Sequence, residues 1–89
     1  MNEYRILLTK QARKDFEKIC GVPSLKNKVR QLTELLKVNP FENSPRYEKL
    51  VGDLDGLYSR RINVQHRLVY EVREDENTVV IYRMWTHYE

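Results

Sequence analysis

Between Tyr58 and Tyr70 the chain reads YSRRINVQHRLVY, with three arginines, one histidine and no acidic residue. The planar guanidinium fork matches the oxygens of a phosphate, so such a cluster can hold one. Glu48 lies a short way upstream, and His87 and Tyr88 stand side by side near the end of the chain. A carboxylate and an imidazole can move protons to and from a reacting group. A phenol ring can stack on a nucleobase. Each residue also has a plainer reading. Glu48 alone is a surface carboxylate paired with a nearby Lys or Arg. His87 alone is the frayed end of a chain. His66, beside a hairpin loop, is a solvated turn residue. Trp85 and Tyr82 fit a core or an interface, which leaves Tyr88 as the better stacking candidate.

These residues need a frame. YRILLT (residues 4–9) suggests a strand, with Thr9 as the N-cap of a following helix. Ala12, Phe16, Ile19 and Cys20 share one face of that helix. Lys10, Arg13, Lys14 and Lys18 lie mostly on the other. Gly21 stops it, and Pro23 and Ser24 open a second helix with a stripe of Leu25, Val29, Leu32, Leu35 and Leu36. Asn39 and Pro40 end that one. Residues 41–46 read as a loop, 47–51 as a short strand, and 57–62, 66–72 and 78–86 as strands joined by turns. The order is β-α-α-β-β-β. It predicts an α+β domain over residues 1–89 with both helices on one face of an antiparallel sheet. The other sheet face is left open.

If residues 63–65 form the hairpin loop, Ile62 lies opposite His66, Arg61 opposite Arg67 and Ser59 opposite Val69. Cross-strand partners share a face. Tyr58, Ile62, Leu68, Tyr70 and Val72 then point to the core, and Ser59, Arg61 and Arg67 point outward together. Arg60 falls on the core side, where it must reach out at the sheet edge or pair with an acid. Two arginines face to face repel each other. Either Glu71 or another carboxylate compensates, both snorkel into water, or a phosphate sits between them.

The chain has 89 residues, a formal net charge of +3 and a pI of about 9.1. That balance favours anionic partners mildly. A domain this short has a thin core, which a partner would help to cover. Cys20 is the lone cysteine, so no internal disulfide is possible and a reducing compartment is expected. The first ten residues are too short and too charged for a signal peptide, and no apolar run is long enough to cross a bilayer. A cytoplasmic protein without a membrane partner is expected. Two histidines and one cysteine lack zinc-ligand spacing, and glycines at 21, 52 and 56 make no phosphate-cradling loop.

The stretch NPFENSPRYEKLVGDLDGLYSRRINVQHRLVYEV, followed by a near-terminal HY, resembles the YoeB/Txe group of RelE-like bacterial toxins. The most specific parts are SRRIN, then HRLVY, then the His-Tyr pair, in that order and spacing. The resemblance covers nearly the whole chain. It implies a ribosome-dependent mRNA endoribonuclease of a toxin–antitoxin module, active without metal or cofactor. It implies a YefM/Axe-like antitoxin, the ribosome and mRNA as partners, and a homodimer. By this resemblance Glu48 is the acid–base carboxylate, Arg67 the charge-stabilising arginine, and His87 and Tyr88 the terminal pair. Lys49 and Arg61 match basic residues around the site. The departure lies at Met84 and Trp85, where members often carry a Cys-Arg pair. A local cation is missing there, and Trp85 is left to stack on a base or to pack at a dimer or antitoxin interface. Two rivals remain at this point. One is a ParE-type toxin that inhibits gyrase, and the other is an inactive module that binds RNA or antitoxin.

Overall fold

A computed structural model describes residues 3–43 and 46–85. The first strand, β1, is Arg5–Leu8, and the helices that follow are α1, Lys10–Cys20, and α2, Pro23–Val38. The later strands are β2, Tyr47–Lys49, β3, Tyr58–Arg61, β4, Arg67–Arg73, and β5, Thr78–Arg83. They form one sheet in the order β1-β5-β4-β3-β2. The β2–β3, β3–β4 and β4–β5 pairs are antiparallel, as the hairpins predict. β1 joins the sheet at its edge but runs parallel to β5, with Leu7 beside Val80. The sheet is therefore mixed. β1 and β5 are separated by both helices and three other strands, the long connection that a parallel pair requires.

Local chemistry explains the helix ends. The Thr9 hydroxyl accepts from the Ala12 N–H at 3.1 Å and donates to the Tyr82 carbonyl at 3.1 Å. One side chain thus caps α1 and ties it to β5. Pro23 begins α2, where a missing N–H costs nothing. The Tyr4 N–H donates to the Lys37 carbonyl at 2.8 Å, so the end of α2 is fastened beside β1. Ala12, Ile19, Leu25, Val29, Leu32 and Leu36 pack with Leu68, Tyr70, Val79, Ile81 and Met84 in one core. Cys20, placed on the apolar face by its spacing, is exposed instead, because Gly21 begins the turn that carries the chain off the sheet.

The core of α1 includes a charge. Asp15 is fully buried. Its carboxylate accepts from Arg83 Nε at 2.9 Å, the Met84 N–H at 3.1 Å and the Gln11 amide at 3.1 Å. Burial pushes its pKa up, but these three donors outweigh burial and hold the carboxyl below its ordinary value. A group depressed in the folded state stabilises the fold above its unfolded pKa. That stability is lost as pH falls through the folded value. Asp15→Asn is therefore expected to unfold more easily than the parent at pH 7, with a gap that narrows below about pH 4. Urea unfolding at the two pH values checks this. A gap that stays constant removes the charge from the explanation.

Candidate functional site

The β3–β4 register is the one the sequence predicts. Arg61 pairs with Arg67, Ser59 with Val69 and Tyr58 with Tyr70. The Ile62 N–H donates to the His66 carbonyl at 2.9 Å, so residues 63–65 make the loop. β2 adds Glu48 opposite Ser59. Glu48, Ser59, Arg61 and Arg67 thereby meet on the sheet face away from the helices. Lys49 pairs with Tyr58 and alternates to the other face, but it still borders the same hollow at the strand's end.

That hollow has a volume of about 760 Å³ and is lined by Arg46, Tyr47, Glu48, Lys49, Ser59, Arg61 and Arg67. It sets four cations around one carboxylate. Arg67 Nη1 lies 2.9 Å from Glu48 Oε1 and 3.4 Å from Ser59 Oγ. The carboxylate that compensates Arg67 is thus Glu48. Glu71 is turned elsewhere, accepting from Arg73 at 3.0 Å and from the Tyr82 hydroxyl at 3.0 Å. Arg46, Lys49 and Arg61 make no ion pair among the described residues. Three uncompensated cations bordering one concavity favour an anionic occupant. The plain reading of Glu48, a carboxylate paired with a nearby cation, and its functional reading meet in one contact. His87 and Tyr88 lie outside the described residues.

Arg60 gives this face its rigidity. It stays fully buried instead of reaching out at the sheet edge. Its Nε donates to the Tyr70 hydroxyl at 3.0 Å, and its Nη2 donates to the Pro40 carbonyl at 3.0 Å and the Glu42 carbonyl at 2.6 Å. Its guanidinium also lies over the Tyr47 ring, 5.1 Å from the centroid. Tyr70 donates in turn to the Pro40 carbonyl at 3.1 Å, and burial pushes its phenol up to about 12 against the pull of Arg60. Phe41, Tyr47, Tyr58 and Tyr70 form a chain of ring contacts with centroids 5.6–6.4 Å apart. Tyr47 neighbours Glu48 on β2, so this cluster fixes the strand that carries the carboxylate.

One sequence expectation changes here, and Trp85 takes the core side of its core-or-interface reading. His66 is buried, not solvated, and its ring stacks on Trp85. Trp85 therefore packs within its own chain, where Lys18 Nζ stands over the indole at 5.6 Å. Met84 fills the core. Arg46 and Tyr47 also line the hollow, and the sequence reading does not single them out. The basic run PRYEK around Glu48 was the available signal for Arg46.

Two helices on a five-stranded sheet, with a basic hollow on its free face, match the architecture of the RelE-like toxins. The likeness to solved structures spans nearly the full chain. A YoeB–YefM complex from Staphylococcus aureus matches at a TM-score of 0.83 and 33% identity, over 96% of this chain and 98% of that one. A YoeB dimer from the same organism matches at 0.83 and 33%, over 97% and 99%. Toxin YoeB of Mycobacterium bovis is 41% identical over 54 residues, which are 57% of this chain and 64% of that relative. The chain thus spans under two thirds of that curated relative's length in the match. The family described as YoeB-like toxin of bacterial type II toxin–antitoxin system matches residues 8–88, and the chain belongs to it.

Proposed function

We propose that this protein is a ribosome-dependent mRNA endoribonuclease that stops translation by cutting the message in the A site. The observation that carries this reading is the Glu48–Arg67 contact inside a hollow lined by Arg46, Lys49 and Arg61. RNA can be cut by attack of its own 2′-hydroxyl on the adjacent phosphorus. The O2′–P bond forms, the P–O5′ bond breaks, and a 2′,3′-cyclic phosphate and a 5′-hydroxyl result. The reaction needs a base for the 2′-proton, an acid for the departing 5′-oxygen, and positive charge on the non-bridging oxygens. Glu48 takes the first role and His87 the second. Arg67, with Arg61 opposite it, takes the third, where charge builds in the transition state. Lys49 and Arg61 bind the phosphate backbone, and Tyr88 stacks on a base. Side chains suffice for all three roles, so the reaction needs no metal or cofactor.

The setting follows from the family. A YefM/Axe-like antitoxin restrains the protein, as the staphylococcal YoeB–YefM complex suggests by analogy, and the toxin forms a homodimer. It acts in the cytoplasm, where the message is translated. Among the described residues no helix is long and apolar enough to cross a membrane.

The test mixes the purified protein with ribosomes stalled on a defined message, beside His87→Ala, and maps the RNA ends. A cut in the A-site codon that leaves a cyclic phosphate and is lost in the variant is expected. An intact message, with loss of gyrase supercoiling in a parallel assay, would move the protein to the ParE-type reading.

Docking draws on α1. Lys10, Arg13, Lys14 and Lys18 are all exposed on it. Contacts of this kind to ribosomal RNA add affinity that falls with salt. Reversing Lys10 and Lys14 to Glu is expected to weaken ribosome binding and flatten its salt dependence. A sedimentation assay at several salt concentrations measures both. Unchanged affinity and slope would take these residues out of the interface.

A further inference from the structure

Three arginines stand in one row across the free sheet face. Arg61 on β3 pairs with Arg67 on β4. On the other side, Tyr47 of β2 pairs with Arg60, and one step back along that register sets Arg46 across from Arg61. Neighbouring strands lie about 4.8 Å apart, so the row from Arg46 to Arg67 spans about 10 Å. All three arginines line the same hollow, and Glu48 and Ser59 pair in the next row. Arg67 has a carboxylate partner, Glu48 at 2.9 Å. Arg46 and Arg61 are exposed and make no ion pair among the described residues. Like charges on neighbouring strands repel each other. The strand that starts after Arg46 is anchored all the same. Tyr47 lies under the Arg60 guanidinium and in ring contact with Phe41 and Tyr58. The fold thus holds two mutually repelling cations side by side.

The charge count points the same way. Four cations against one carboxylate leave three positive charges over in the hollow. A phosphodiester carries one negative charge, so the scissile phosphate leaves two of them unmatched. Lys49 stands apart, opposite Tyr58 at the far end of β2. The adjacent pair is Arg46 and Arg61. We infer that these two form a second phosphate subsite, which holds the phosphodiester next to the one that Arg67 takes. The message then crosses the strands along the row. Arg61 stands between its two phosphates, and Arg46 touches the second alone. The inference rests on the nuclease reading above. It adds to that reading a binding residue, Arg46, and a substrate segment with two successive phosphodiesters.

The test crosses a change in the protein with a change in the message. Ribosomes are stalled on messages in which the linkage before or after the scissile one is a neutral methylphosphonate. The wild-type chain is compared with Arg46→Gln and Arg46→Lys. Arg46→Gln is expected to lower kcat/KM about 10-fold on the natural message, the contribution of one hydrogen bond to a charged group. With the wild-type chain, one of the two methylphosphonate messages should show a loss of the same size. Arg46→Gln should lose nothing further on that message, because the contact is already gone. Arg46→Lys should keep most of the rate, since a point charge still holds a phosphate. Additive losses, or a wild-type rate in Arg46→Gln, overturn the subsite and leave the nuclease reading standing. A second measurement needs no cleavage. A 2′-deoxy trinucleotide with two phosphodiesters, which lacks the attacking hydroxyl, is titrated into the protein while NMR follows the arginine Nε–H signals. The Arg46 and Arg61 signals are expected to shift, and to shift less when the second linkage is a methylphosphonate. Those shifts in a protein that leaves the stalled message intact overturn the nuclease reading and keep the subsite. Unmoved signals at millimolar trinucleotide overturn the subsite.

Discussion

Arg60→Ala is expected to remove about 3–5 kcal/mol of folding stability, a large part of what a domain this short possesses. The reason is what the guanidinium leaves behind. Its Nη2 bonds hold the Pro40 and Glu42 carbonyls, and its Nε bond holds the Tyr70 hydroxyl. Pro40 is fully buried, so water does not replace the lost donor freely. Hydrogen bonds to a charged group contribute about 1.5–3 kcal/mol each. Truncation to Ala also opens a cavity beneath the Tyr47 ring, which the guanidinium now covers. The opposing effect is real. An arginine buried with neutral carbonyls has lost its hydration, and removing it recovers that desolvation cost. The lost charged bonds and the cavity outweigh this recovery, although the Pro40 carbonyl keeps its bond from the Tyr70 hydroxyl. Arg60→Lys should fare little better, since an ammonium cannot reach all three acceptors with one planar fork. Urea unfolding measures the loss as a fall in midpoint at unchanged slope. A loss below about 1 kcal/mol would mean that the bonds and the desolvation nearly cancel. It would also leave the geometry of β2, and of Glu48 on it, to the aromatic cluster.

Arg60 also marks where the sequence stops being informative. The β3–β4 pairing follows from period-two alternation about a three-residue loop, and that reasoning places Arg61 opposite Arg67 correctly. It also turns Arg60 inward. Tyr70, on the same core side, is the one acceptor that it brings near; the other two are carbonyls some twenty positions away, and a carbonyl carries no signature in the sequence. Asp15 fails for the same kind of reason. Helical spacing shows Asp15 as one of two carboxylates on a lysine-rich α1, whereas its partners, Arg83 and the Met84 N–H, arrive only when β5 docks. The neighbouring loop makes His66 look solvated, whereas its ring stacks on Trp85, nineteen residues on. The parallel edge pairing of β1 with β5 is likewise a long-range choice. By contrast, the hollow was largely legible. Glu48, Arg61 and Arg67 come together because they sit on neighbouring strands of one sheet face, and strand order in consecutive hairpins follows the chain.

Under the proposed mechanism, Glu48→Gln is expected to lower cleavage by about 10²–10⁴-fold, the usual contribution of a single general base. The substitution is chosen to isolate chemistry from structure. Glutamine has the same shape, and its carbonyl oxygen can still accept from Arg67 Nη1, which now donates to Glu48 Oε1 at 2.9 Å. The Glu48 side chain is 64% exposed, so loss of the ion pair should change stability by less than about 1 kcal/mol. What glutamine cannot do is take a proton from the 2′-hydroxyl. A fall in kcat with an unchanged KM would therefore isolate the base. Arg67→Lys separates the partner's role. Lysine keeps the positive charge but not the bidentate fork, so if Arg67 works through geometry on the non-bridging oxygens, the rate falls although the charge remains. The two variants also divide the contact between its two explanations. If Glu48→Gln cleaves at the wild-type rate while Arg67→Lys is slow, Glu48 serves only to orient the arginine and another group removes the proton. If both are slow and the double variant is no slower than the worse single one, the pair acts as one unit. The contact seen between them is then the resting form of the site, from which Arg67 turns to the phosphate as the message enters.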